Sequence, residues 1–142
     1  MSKSTFEKEL QEKGVIIYTN VGTSMQPLIR QGKDIMIISS VDSIGRKLKK
    51  MDVPLYKRDS GQYVLHRIVK VTEDGYVLRG DNTYVNEYGI TEKHVIGVLT
   101  GVLRNGKEIS VYSFGYVLYS YIWYCTYYIR KMVVWMKRKI RR

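Results

Sequence analysis

Val53-Pro54-Leu55-Tyr56-Lys57-Arg58-Asp59-Ser60-Gly61-Gln62-Tyr63-Val64-Leu65-His66-Arg67-Ile68-Val69-Lys70-Val71 holds two runs of β-forming residues around Asp59-Ser60-Gly61. Such runs on either side of a short glycine-containing turn predict a β-hairpin. Pro54 has no amide hydrogen to give to a ladder, so it belongs at a strand start or a sheet edge. Along residues 62–71 the alternation sets Tyr63, Leu65, Arg67 and Val69 against Val64, His66, Ile68 and Lys70. Because strand side chains alternate between faces, His66 is expected on the face of Ile68 in a partly buried setting.

The same pattern extends outward in both directions. Val15-Ile16-Ile17-Tyr18 precedes a turn-like segment, and Asp34-Ile35-Met36-Ile37-Ile38 follows Gln31-Gly32-Lys33. Thr72-Glu73-Asp74-Gly75 turns the chain into Tyr76-Val77-Leu78-Arg79, and Asn105-Gly106 separates runs over 95–103 and 107–111. Short strands punctuated in this way predict a mostly-β, compact antiparallel fold. Three parts are expected: a short helix over 1–14, the β-domain over 15–108, and an aromatic, basic helix over 109–142. The first helix reads as capped by Ser4, with Glu7 three residues on and Gly14 as its stop.

Composition sets outer limits. A chain of 142 residues with 44% hydrophobic content is enough for one domain around a single core. Its one cysteine, Cys125, excludes an internal disulfide and leaves the redox compartment open. No Cys/His cluster has metal-ligand spacing and no glycine-rich phosphate loop is present, so neither a metal nor an organic cofactor is implied.

Chemistry-bearing residues stand in three separate segments. Ser24 lies in Gly22-Thr23-Ser24-Met25-Gln26-Pro27, His66 in the hairpin's second run, and Asp81 in Gly80-Asp81-Asn82. A serine hydroxyl is a weak nucleophile until a base takes its proton, and imidazole suits that task near pH 7. A carboxylate can hold the ring in one tautomer and stabilise the imidazolium. Each residue also has a plainer reading. Ser24 would cap a helical turn, His66 would be a packed strand residue, and Asp81 would close an Asx turn. His94, the second histidine, lacks any such partner motif and is expected on a loop or strand edge.

Gly-Thr-Ser-Met-Gln-Pro resembles the nucleophile box of the signal peptidase I superfamily of serine peptidases, which includes the self-cleaving repressors. His66-Arg67-Ile68 followed by Tyr76-Val77-Leu78-Arg79-Gly80-Asp81-Asn82 is similar to its endoplasmic-reticulum and archaeal branch, which uses Ser–His rather than Ser–Lys. The resemblance spans roughly residues 15–104. It implies the compact β-fold of that superfamily and a serine endopeptidase that cleaves a leader or signal segment through an acyl-enzyme. It also implies Ser24 as nucleophile, His66 as general base and Asp81 as orienting acid. The oxyanion donors would be the Ser24 backbone N–H together with Thr23, since Gly22 stands where relatives often carry a hydroxyl. A supporting acid of that branch would fall near Asn86-Glu87. Substrate would pair as an extended strand, with residues 15–18 and the strand near Tyr63 as candidate edges.

The C-terminal segment differs in character. Residues 109–129 hold no charge but include seven tyrosines and three serines, so they make a poor hydrocarbon span despite sufficient length. Read as a helix, Phe114, Leu118, Ile122, Cys125, Ile129, Val133 and Met136 fall on one side. Seven basic residues and no acids follow Glu108, which is most of the formal net charge of +11. These features are those of a helix lying on an anionic membrane surface. A helix packed on the domain and a true span are the alternatives. The polar residues 1–14 lack a signal-peptide core, so membrane attachment is expected on the cytoplasmic face.

The contrasting function is a catalytically inactive homologue acting as a membrane- or nucleic-acid-binding module. The basic residues cluster at one end and the rest of the chain is only mildly basic, which argues against nucleic acid. Self-cleavage would need an internal cleavage linker, and none is obvious.

Overall fold

Hairpin turns and β-branched runs build two antiparallel sheets in the structure, a computed structural model that describes residues 5–19 and 22–141. After helix α1 (Thr5–Lys13) come β1 (Val15–Thr19), β2 (Ile35–Ser39), β3 (Pro54–Lys57), β4 (Tyr63–Leu65) and β5 (Arg67–Val71). They are followed by β6 (Tyr76–Arg79), β7 (Glu87–Ile90), β8 (Val95–Arg104) and β9 (Lys107–Ser110), then helices α2 (Phe114–Cys125) and α3 (Tyr127–Ile140). One sheet runs β1-β2-β8-β3-β4, with β9 also paired to β8; the other runs β5-β6-β7. Short 3-10 turns at Asp42–Ile44 and Glu92–His94 complete the element order.

Adjacent residues of the larger sheet feed opposite cores, as strand alternation requires. Leu55, Leu65 and Leu99 join Leu10, Met25, Ile29 and Tyr116 on one face. Tyr56, Val64 and Val98 join Ile68, Leu78 and Ile90 on the other, beneath the smaller sheet. The Ser24 segment, α1 and α2 therefore cover one face, and β5-β6-β7 cover the other.

Several expectations hold. Gly61 takes φ +93 in the first hairpin, Asn105 and Gly106 take φ 53 and 77 in the second, and Pro54 begins its strand. Gly14 ends α1 with φ +79 and donates its N–H to Leu10 O. Ser4, the expected cap, lies outside the described residues.

Two expectations need correction. Residues 62–71 do not form one strand: β4 ends at Leu65, β5 begins at Arg67, and the two belong to different sheets. The chain bends out of one sheet and into the other at His66, so simple alternation fails and Leu65, Arg67, Ile68 and Val69 are all buried. Residues 109–110 belong to β9, and helix begins only at Phe114, where the Ser113 hydroxyl accepts from Tyr116 N–H. Tyr127 N then opens a second helical stretch, with Arg130 N still bonded to Thr126 O across the junction. Among the described residues, no helix is long and apolar enough to cross a membrane.

Candidate active site

The Ser24 segment is held from below by its own apolar residues. Met25, Leu28 and Ile29 are buried in the core, which leaves Ser24 half-buried at the surface of the turn. Gln26 N donates to Thr23 O and Ile29 N to Met25 O. Downstream, the buried Asp34 accepts from Arg30 and Arg104, and Arg104 also donates to Leu28 O at 2.7 Å. Burial opposes ionisation of Asp34, but these hydrogen bonds hold its carboxyl well below the usual carboxylate range. Asp34 thus anchors the segment to β8.

The Gly80-Asp81-Asn82 loop grips the same segment from the side. Asn82 N donates to Ser24 O at 2.8 Å, Asn82 Nδ2 to Thr23 O at 3.1 Å, and Asp81 N to Met25 Sδ at 3.3 Å. Gly80 is the contact point. A Cβ there would stand 2.5 Å from Ser24 O and 3.0 Å from both Nε2 and Cδ2 of His66. The Nε2 edge of the imidazole is therefore turned toward the Ser24 segment across a residue that has room for no side chain. Ser24 Oγ and His66 Nε2 do not form a direct hydrogen bond in this structure.

On its other edge, His66 Nδ1 lies 3.3 Å from Tyr56 Oη, and that hydroxyl donates to Glu87 Oε1 at 2.6 Å. Arg58 clamps the Glu87 carboxylate with Nε and Nη2, both at 2.8 Å. Because the single Tyr56 proton goes to Glu87, its oxygen accepts from Nδ1–H. The tautomer so selected leaves Nε2 as the basic nitrogen. Burial lowers the His66 pKa to about 4; the negative charges of Glu87 and Asp81 oppose this shift and Arg58 reinforces it. The ring is therefore neutral near pH 7. Glu87 sits below its usual range because Arg58 hydrogen-bonds it, and burial with the Glu87 contact pushes the Tyr56 hydroxyl far up.

The structure brings Ser24, His66 and Asp81 to one place, but Asp81 is not bonded to the imidazole. Its Oδ1 accepts from Arg67 Nε at 2.9 Å, and its Oδ2 from Arg67 Nη2 and Tyr119 Oη at 2.8 Å each. A buried guanidinium captures the carboxylate because two parallel N–H groups match its two oxygens. The expected orienting bond is thus replaced by the Tyr56–Glu87 chain. Tyr56 was legible in part: it pairs with Val64 across the hairpin, two residues before His66. Arg58 and Arg67 carried no comparable sequence signal.

Among the described residues, no hydrogen bond involves the Ser24 N–H or the Thr23 hydroxyl. His94 lies elsewhere, its Nδ1 accepting from Thr91 N and its Nε2 paired with Asp59. A cleft lined by α1, Arg46, Tyr76 and the Glu92–His94 turn includes neither Ser24 nor His66. At one end of the larger sheet β1 presents an outer edge, with Val15, Ile17 and Tyr18 exposed. No group of three His, Cys, Asp or Glu among the described residues is arranged to hold a metal ion. No protein-family profile matches this chain, and no curated protein does.

Proposed function

We propose that this chain is a serine endopeptidase of the Ser–His type, resembling signal peptidase I, which cleaves a leader segment from a peptide bound as an extended strand. One observation carries the reading: His66 has its Nδ1 fixed by Tyr56 and Glu87 and its Nε2 turned toward Ser24 across Gly80. In the reaction, Ser24 Oγ attacks the scissile carbonyl carbon while Nε2 takes the hydroxyl proton. Nδ1–H stays on Tyr56, and the Glu87 charge behind it stabilises the imidazolium. The oxyanion is received by the Ser24 N–H and the Thr23 hydroxyl, a donor of this kind contributing about 3 kcal/mol. Nε2–H then protonates the leaving amine as the C–N bond breaks, and water deacylates Ser24 by the same route.

Substrate pairs along the outer edge of β1, whose backbone groups face no other described strand and which leads into the nucleophile segment. The test is acylation. Full-length protein is treated with a serine-directed acylating inhibitor and examined by intact mass beside Ser24→Ala and His66→Ala. A single adduct on Ser24 that disappears in both variants supports the reading. An adduct that persists in His66→Ala removes His66 as the base. Folded protein that takes no adduct from a panel of such reagents favours the inactive homologue.

A further inference from the structure

Helices α2 and α3 contact the domain with their polar side. Tyr119 Oη and Trp123 Nε1 donate to Asp81, Tyr127 Oη donates to Tyr84 O, and the Arg79 guanidinium lies 3.4 Å over the Tyr127 ring. Arg130 stacks on Trp123 and donates to its carbonyl. The apolar stripe is left facing outward: Phe114 is 82% exposed, Ile122 52%, Ile129 60% and Met136 48%, with Leu118 and Val133 also uncovered. Amphipathic helices on globular domains normally bury that stripe.

From Lys131 to Arg141 every side chain is exposed except the half-buried Val134. A helical stretch of that length with no tertiary packing is marginal in water. Its charge is of one sign, because no acidic residue follows Glu108. At about 100° per residue, Lys137 and Lys139 flank the Ile129–Val133–Met136 stripe on its two sides. Trp135 is exposed as well.

We infer that the outward face of α2 and α3 docks on an anionic membrane surface, its apolar stripe entering the headgroup boundary and its flanking cations meeting lipid phosphates. Charge selects this occupant over a second copy of the chain, since two such faces would bring like charges together. An exposed apolar stripe also has no counterpart on a nucleic-acid backbone. Docking holds the Gly80–Asn82 loop about one helix diameter, roughly 10 Å, from the bilayer, because the opposite side of the same helices holds Asp81, and the next residue, Asn82, holds Ser24 O. The inference stands apart from the peptidase reading, and Ser24→Ala protein is expected to dock equally well.

Full-length Ser24→Ala protein is tested by flotation with vesicles of phosphatidylcholine alone and of phosphatidylcholine with phosphatidylglycerol, followed also by tryptophan emission. Salt-sensitive partition to the anionic vesicles, with a blue shift removed by Trp135→Phe, is the expected result. Replacing Lys137, Arg138 and Lys139 together with Gln should weaken partition by roughly a hundredfold. Ile129→Ser with Met136→Ser should abolish the blue shift while far-UV dichroism of the β-domain is unchanged. No partition by monomeric protein at low salt overturns the inference. So does a dimer that Ile129→Ser/Met136→Ser dissociates, or oligonucleotide binding in the absence of vesicle binding.

Discussion

Arg67 and Asp81 face each other across β5 and the end of β6 as a doubly hydrogen-bonded ion pair in which each side chain is only 3% exposed. Burial alone would lower the Arg67 pKa, but the Asp81 carboxylate keeps it raised. The pair ties the smaller sheet to the loop that grips Ser24, and Tyr119 and Trp123 extend the tie to α2. Asp81 therefore acts on fold and positioning more than on the imidazole.

Asp81→Asn should accordingly destabilise the whole domain. Removing one partner of a buried ion pair costs about 3–5 kcal/mol because the other charge is stranded. For a chain of this size that lowers Tm by roughly 10 °C, read by thermal denaturation. An apolar double replacement, Arg67→Met with Asp81→Leu, should recover much of the loss. Unchanged Tm with loss of Ser24 acylation would instead make Asp81 the direct partner of His66.

Tyr56→Phe separates the two roles from the other direction. It keeps the ring packed in the second core but removes the hydroxyl between Nδ1 and Glu87. A hydrogen bond backed by a charged group contributes about 1.5–3 kcal/mol, so acylation of Ser24 should slow by roughly 10–100-fold. Tm should change far less than in Asp81→Asn. Wild-type acylation in folded Tyr56→Phe protein would show that the tautomer is set by something else.

The hairpins, both glycine-bearing turns and the order of strands up to His66 could be read from local pattern, because alternation and turn chemistry are local properties. The break at His66 could not. Residues 62–71 are an unbroken β-forming run, and only the packing of β5 on β6 rather than on β3 splits it. Asp81 was legible as a site residue but not its partner, since Gly-Asp-Asn describes a turn and says nothing of where Arg67 reaches. The C-terminal stripe likewise followed from helical period, whereas its outward orientation depends on Tyr119, Trp123 and Tyr127 finding polar partners on the domain.

His66 should titrate well below an ordinary histidine. Its folded pKa is about 4, against about 6.5 in the unfolded chain, so the unfolded state takes up the proton first as pH falls. Stability from this group is complete above pH 6.5, is lost on acidification toward pH 4, and amounts to something on the order of 3 kcal/mol. NMR of the imidazole Cε1–H should place the folded midpoint near 4, and the acid limb of Ser24 acylation should follow it. Glu87→Gln removes a charge that raises the pKa, so the midpoint should move lower still. A midpoint near 6.5 in the folded wild type would mean that the ring is solvated and not held as described.

Gly80→Ala tests the point at which the Ser24 segment and the His66 ring both meet Gly80. The added Cβ meets the Ser24 carbonyl oxygen at 2.5 Å and the His66 ring at 3.0 Å, and neither is the free end of a flexible side chain. Forcing a methyl into such a site costs about 1–3 kcal/mol, so the variant should fold with a modest loss of Tm. Its catalytic loss should be larger in proportion. The loop must move away from the Ser24 segment, and a displacement of about 1 Å between reacting groups can slow a reaction roughly a hundredfold. The comparison to make is acylation rate against Tm for Gly80→Ala and Tyr56→Phe together. Both should lose rate well beyond their loss of stability, whereas a purely structural role for Gly80 would lower Tm and leave the rate of the folded fraction unchanged.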